Sequence, residues 1–513
     1  MRLYNKEQTS LYCDHVVDIV KGEVYLIISL KTCDNRGEAV IGGIKLVTIH
    51  DTELRQGIIK AIDQAKKLSQ SVLVSEVQRI ERIDPFKFFA AGRNLFLGER
   101  FFWKDPNEDH ILVGMGVARQ IQSDQAATRF VDIEKEWKRF TETAIIIGDK
   151  KESGTGPVML GGFSFDPLKK KSTLWSKFSD SLFHIPTFLL TIVKGQVYFT
   201  TNVVCTQHDD VKLFDKINQE RQSILTLAFQ DHEVSLPPLE RIEEVKPEEW
   251  KETVTRLVQS LQNSPLKKVV LAREIRLFFE QEVAVEKVLS HLIDEQKESF
   301  IFAFEANGDC FIGASPERLV KKEGEKVFST CLAGSIARGS TPAEDQVIGQ
   351  SLLEDQKNLI EHKYVVDMIK DAMMETCDHV SLPNSPKLMK MKYIQHLYTP
   401  VTGKNRKGTT LFDLVDRLHP TPALGGLPKK EAVEKIREIE DLDRGFYAAP
   451  IGWLDHQENG EFAVAIRSAL VQGKEASLFA GCGVVADSNA ESEFNETNIK
   501  FRPMLTALGG NAK

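Results

Sequence analysis

Short runs of β-branched and aromatic residues, separated by polar turns, dominate the first 240 residues of the chain. Residues 24–30 (VYLIISL) and 144–147 (AIII) have the composition of strands. Residues 86–89 and 94–97 flank Ala90-Ala-Gly-Arg93, and 111–117 follow a polar turn at 104–109, a spacing that predicts an antiparallel meander. Residues 187–193 and 197–201 predict a hairpin around Lys194-Gly195-Gln196. The polar, proline-bearing stretch 236–247 is the best linker candidate.

Beyond it the period changes. Pro247 sits where a helix tolerates proline, and Trp250, Val254, Leu257, Val258 and Leu261 form a stripe at helical spacing. Residues 267–273 predict a strand, and 301–304 with 310–313 a strand pair around Asn307-Gly308-Asp309. One long helix is expected from about Pro342 to Met374, followed by a strand at 392–398 and helices at 411–418 and 430–440. Strands at 461–470 and 476–479 precede a C-terminal helix. Strands and helices do not alternate one for one, and neither a G-x-G-x-x-G nor a Walker loop is present. The pattern favours α+β with antiparallel sheets over a doubly wound parallel sheet.

The chain has 513 residues, enough for a large core. Its net charge of −8 argues against a nucleic-acid-binding surface, so an anionic substrate would need Arg and Lys concentrated in a cleft. Seven unclustered cysteines suggest reduced thiols and no structural zinc. No apolar run is long enough to span a bilayer and no signal peptide is evident, so a cytoplasmic, soluble protein is expected.

The segments with chemical potential are individually weak. In the last helix Glu493, Glu496 and Lys500 share one face at i, i+3 and i+7, behind the glycine-rich loop Gly481-Cys482-Gly483. Two carboxylates and an ammonium suit a hard-metal and anion site, but Glu–Lys pairs on a solvated face are the ordinary meaning of that spacing. Lys268 opens a strand, either exposed at its start or held inward as a base; in isolation the exposed start is favoured. Gly313-Ala-Ser-Pro-Glu317 presents one carboxylate at a turn. Leu332-Ala-Gly-Ser335 is a small-residue loop whose backbone N–H groups suit an anion. Glu354 and Glu361 fall seven apart on the long helix, with Asn358 between them, and His362 beside Glu361 reads as a structural hydrogen-bonder.

Taken in order, KVVLAR, FIGASPERL, LAGSIARG, EHKYVVDMI, QHLYTPV, LHPTPALGG, FAVAIRSA and GCGVVADSNAESEFNETNIK resemble the chorismate-utilising enzymes. These include isochorismate, salicylate, anthranilate and aminodeoxychorismate synthases. The resemblance covers about residues 250–505, a chorismate-binding catalytic region, and is much weaker over 1–240. It implies two large antiparallel β-sheets packed as a sandwich with helices outside, the N-terminal half being part of that sandwich.

Within the family, Lys268 and Ala423 match the water-using branch, whereas ammonia-using members differ at the first position and carry Thr near the second. The resemblance therefore implies an Mg²⁺-dependent isochorismate synthase that adds water at C2 of chorismate and expels the C4 hydroxyl. Lys268 is implied as base and Glu317 as acid, roles that require a partly neutral lysine and a protonated carboxyl. Glu361 and Glu496 are implied as Mg²⁺ ligands, with Glu493 holding a metal-bound water. Gly334, Ser335, His396, Ala423, Arg467, Gly481 and Lys500 are implied to bind substrate. The longer N-terminal half is similar to the menaquinone-pathway type, and no glutamine amidotransferase subunit is expected. Alternatives are a salicylate synthase that also eliminates pyruvate, an ammonia-using synthase, or an inactive chorismate-binding protein. Phe494 stands where the family commonly has Trp.

Overall fold

The computed structural model describes residues 12–20, 23–33, 39–43, 51–231 and 234–510. The fold is α+β, built on a very large, almost wholly antiparallel strand system. The strand His110–Ser123 pairs along its length with Ser181–Val193, and this long ribbon joins two sheets. On one side hydrogen bonding runs from Arg100–Lys104 through Phe300–Ala306, Asp309–Ser315, Ser468–Gln472 and Glu475–Val484 to Lys268–Phe279. On the other it runs from Val158–Phe163 through Pro450–Asp455, Gly460–Val464, Arg318–Glu323 and Lys326–Ala337 to Ile394–Asn405. Strands before and after residue 240 thus neighbour each other in both sheets. Val72–Ile80 with Ile145–Gly148 is a parallel pair in the otherwise antiparallel arrangement.

The period-two alternation explains the layering. In Phe300–Ala306, Phe300, Phe302 and Phe304 join one core, whereas Ile301 and Ala303 join another. The first core holds Phe163, Phe183, Phe311, Phe446 and Phe462, with edge-on ring pairs such as Phe163–Phe183 at 5.1 Å. The second lies beneath helices that include Asp51–Leu68, Val285–Glu295 and Ala490–Ala507. The sheets are therefore each covered on both faces, as their nearly continuous burial shows.

Several elements differ from the sequence expectation. Residues 85–91 form a helix, not a meander strand, because Pro85 fits its first turn and the Asp84 carboxylate caps the Lys87 N–H at 2.9 Å. The 236–247 linker contains a strand, Leu239–Glu244, paired with Lys268–Phe279. The long 342–374 helix is two, Pro342–Glu354 and Gln356–Thr376, because Asp355 takes extended backbone and caps the Asn358 N–H at 2.7 Å. Glu354 and Glu361 consequently lie on different helices. The 461–470 strand breaks into Gly460–Val464 and Ser468–Gln472 around Arg467, whose φ is +52°. The two hairpin turns hold: Lys194-Gly195 and Asn307-Gly308 all have positive φ.

Candidate active site

The far ends of the two sheets leave a cavity of about 250 Å³ between them. Its walls are the strands Lys268–Phe279 and Glu475–Val484 on one side and Lys326–Ala337 and Ile394–Asn405 on the other. The helices Gln356–Thr376 and Ala490–Ala507 close its flanks. Every sequence-predicted site residue lines this one cavity: Lys268, Glu317, Gly334, Ser335, Glu361, His396, Ala423, Arg467, Gly481, Glu493, Glu496 and Lys500.

Lys268 is buried, 3% exposed, and its ammonium is bonded to the Glu361 carboxylate. The exposed-start reading is wrong because the strand begins inside the molecule, where the Gly426–Leu427 segment pairs with Lys268 and Val269. Space for the lysine comes from Gly483 opposite. A Cβ there would meet Lys268 Cε at 2.4 Å and Nζ at 2.9 Å. Gly481-Cys482-Gly483 is accordingly strand, not loop, and its missing side chains serve packing at close quarters.

Leu332-Ala-Gly-Ser335 is likewise within a strand, but Gly334 (φ +76°) forms a bulge between Ala333 and Ser335 against Ile394–Asn405. The bulge brings Ser335 Oγ to 2.6 Å from His396 Nδ1. Burial, together with the charges of Arg467 and Lys500, lowers the His396 pKa to about 3, so the imidazole is neutral. His362, as expected, is structural: its ring nitrogens meet the Ala333 carbonyl at 3.1 Å and Thr399 Oγ1 at 2.8 Å.

Glu317 follows the turn after Asp309–Ser315 and is 3% exposed. Burial raises its carboxyl to about 8, against the opposing pull of Lys268, Arg467 and Lys500. Its Oε1 has no hydrogen-bond partner among the described residues, and the residue lines the cavity with its carboxyl in the neutral form that burial favours.

On the last helix, Asn489 caps the N–H groups of Glu491 and Ser492. Lys500 donates to the Gly481 carbonyl at 2.9 Å and pairs with Glu496 at 2.6 Å. Ser488 Oγ donates to Glu493 at 2.8 Å, while burial and the neighbouring Glu496 charge raise the Glu493 pKa. The hard oxygen donors of Glu361, Glu493 and Glu496 suit Mg²⁺ in type. As these side chains stand, with Glu361 on Lys268 and Glu496 on Lys500, no three acidic, histidine or cysteine groups among the described residues gather closely enough to hold a metal. Phe494 packs on Trp250 at 6.1 Å and under the Arg273 guanidinium at 3.8 Å, on the side away from the cavity.

Sequence reasoning missed Tyr447 and Arg444, which also line the cavity. Arg444 pairs with Glu440 at 2.6 Å and donates to the carbonyls of Val270 and Leu424. Glu440 in turn accepts from the Ala272 N–H at 2.8 Å. This buried pair ties the Lys268 strand to the Ala423 loop. Glu440 and Arg444 are four apart beside the aromatic Phe446-Tyr447, the clue that the segment is more than a connector.

A buried acid kept protonated, a buried lysine opposite, guanidinium and ammonium groups for anions, and three carboxylates make a site for acid–base chemistry on an anionic substrate. The chain belongs to the chorismate binding enzyme family, whose profile matches residues 60–509. It is 41% identical over 473 residues to isochorismate synthase MenF of Bacillus subtilis, covering 91% of this chain and all of that one. It is 33% identical to the salicylate biosynthesis isochorismate synthase of Pseudomonas aeruginosa, covering 89% of this chain and 95% of that one. Its fold is that of the menaquinone-specific isochorismate synthase MenF from Escherichia coli, with a TM-score of 0.72 at 22% identity over 88% of this chain and 100% of that one.

Proposed function

We infer that this protein is an isochorismate synthase: it adds water to C2 of chorismate, shifts the ring double bonds and releases the C4 hydroxyl. The observation that carries the reading is the pairing of a buried lysine with a carboxyl raised to about 8 across one polar cavity. Lys268, in the neutral amine form this role requires, takes the proton from the attacking water. Glu317, neutral at pH 7, gives its proton to the departing hydroxyl, which leaves as water. Arg467 offers the fork suited to a carboxylate, and Lys500, Ser335 and the backbone around Gly334, Ala423 and Gly481 complete the anion contacts. His396 positions Ser335.

Glu361 and Glu496 would hold Mg²⁺, with Glu493 beside them, and the ion would offset the charge of the substrate carboxylate. Glu361 is bonded to Lys268 in this structure and would serve the ion only in exchange for that contact. The water-adding reading needs no ammonia-delivering subunit. No described helix is long and apolar enough to cross a membrane, and we place the protein in the cytoplasm. We assign it to menaquinone synthesis, following its higher identity to the Bacillus MenF than to the Pseudomonas salicylate-pathway enzyme.

The test is incubation with chorismate and Mg²⁺ and chromatographic separation of the products. Isochorismate alone is expected. Salicylate with pyruvate, or anthranilate on adding ammonium, would overturn the assignment.

A further inference from the structure

Behind His396 and Arg467 lies a second, smaller cavity of about 20 Å³. It shares Pro316, His396 and Arg467 with the main cavity but is otherwise lined by residues outside it, including Gln296 and Ser299. Gln296 is 5%, Ser299 1% and His396 4% exposed. Among the described residues, Gln296 Nε2, Ser299 Oγ and His396 Nε2 each lack a hydrogen-bond partner. Three orphaned polar atoms around one small space are costly unless something bridges them. A single water requires roughly 10–15 Å³ and two to four polar partners, and this space supplies both.

The hydrogen-bond directions then follow from the donor inventory. The Gln296 amide nitrogen only donates, and the Ser299 hydroxyl has no other acceptor, so both give hydrogen bonds to the water oxygen. A hydrogen of the water remains for His396 Nε2. A neutral imidazole that accepts at Nε2 carries its proton on Nδ1. That proton points at Ser335 Oγ, 2.6 Å away. Ser335, receiving there, turns its own O–H into the substrate cavity.

We propose that the rear cavity is a site for one tightly held water bonded to Gln296, Ser299 and His396, which fixes the His396 tautomer and thereby makes Ser335 a hydrogen-bond donor to substrate. Gln296 and Ser299 are thus positioning residues that act through the water, His396 and Ser335. The assignment of the recipient as a carboxylate oxygen of the substrate rests on the proposed function. The tautomer itself does not, which keeps the two readings separately testable.

The experiment uses full-length protein with ¹⁵N-labelled histidine, and long-range ¹H–¹⁵N spectra that distinguish the tautomers, the His396 resonances being assigned by their loss in His396→Asn. The expected result is the Nδ1–H form in the unaltered protein and a mixed or reversed tautomer in Gln296→Met and Ser299→Ala. Ser299→Ala removes one atom and carries the test should Gln296→Met not fold. In turnover of chorismate, each substitution should lower kcat/KM about tenfold, chiefly through KM, the size of one hydrogen bond to a charged acceptor. In a Ser335→Ala background the same substitutions should cost nothing further, since the chain is already cut at its substrate end. The Nε2–H form in the unaltered protein, unchanged spectra in the variants, or an undiminished penalty in Ser335→Ala would each overturn the proposal.

Discussion

Replacing Gly483 by alanine isolates the placement of Lys268 from its chemistry. The new methyl group would sit 2.4 Å from Lys268 Cε, 2.9 Å from its Nζ and 3.6 Å from Glu361 Oε1. Ordinary van der Waals contact begins near 3.4 Å, so the lysine has to retreat by about 1 Å. The obstacle is the end of a flexible side chain rather than backbone, and the lysine can move without disturbing the sheet. Stability should therefore change little, by about 1 kcal/mol, the low end of the cost of overpacking. Catalysis should suffer far more, because a 1 Å misplacement of a reacting group costs on the order of 100-fold. The assay is kcat for chorismate turnover alongside the melting temperature. Turnover within about threefold of the unaltered protein would refute the reasoning, as the cavity would then not constrain Lys268.

The buried acid predicts two responses to pH, both of them losses as pH rises. Turnover should fall as pH rises through about 8, where Glu317 loses its proton, and Glu317→Gln should lower kcat by about 10²–10⁴-fold. Its folded pKa lies above the unfolded value near 4.3, so the stability it contributes is complete below that value and is lost as pH rises towards 8. Glu317→Gln should hence melt higher than the unaltered protein at pH 9, measurable by calorimetry; an equal or lower melting temperature there would argue against a buried neutral carboxyl. Arg467→Lys keeps the charge but loses the planar fork, and should raise KM for chorismate about tenfold with a smaller effect on kcat. Chelation should abolish turnover and Mg²⁺ restore it, and Glu496→Gln should raise the Mg²⁺ concentration required; titration of rate against Mg²⁺ checks both.

The amphipathic helix at Pro247 and the hairpin turns at Lys194-Gly195 and Asn307-Gly308 were legible because periodicity and turn chemistry are local. What local pattern missed were competing local devices and nonlocal pairing. Asp84 and Asp355 are caps whose hydrogen bonds decide helix boundaries, yet each is only an aspartate in an ambiguous stretch. Leu239–Glu244 looks like a linker because its side chains are exposed, and only its partner strand makes it β. At the site, the Glu493–Glu496–Lys500 stripe and Lys268 were visible as charges but not as a site. Their meaning depends on Glu361 arriving from another helix and on Gly483 making room. The resemblance to chorismate-utilising enzymes supplied the grouping that spacing could not. Tyr447, Arg444, Gln296 and Ser299 fell outside the matching segments and emerged only once the strands had been packed.

The claim at the centre of the account is that the new C2 hydroxyl comes from solvent water and not from migration of the C4 hydroxyl. Turnover of chorismate in ¹⁸O-labelled water, followed by mass spectrometry of the isochorismate formed, tests it most directly. The account predicts one ¹⁸O atom per product molecule, located in the C2 hydroxyl. Unlabelled isochorismate would contradict it.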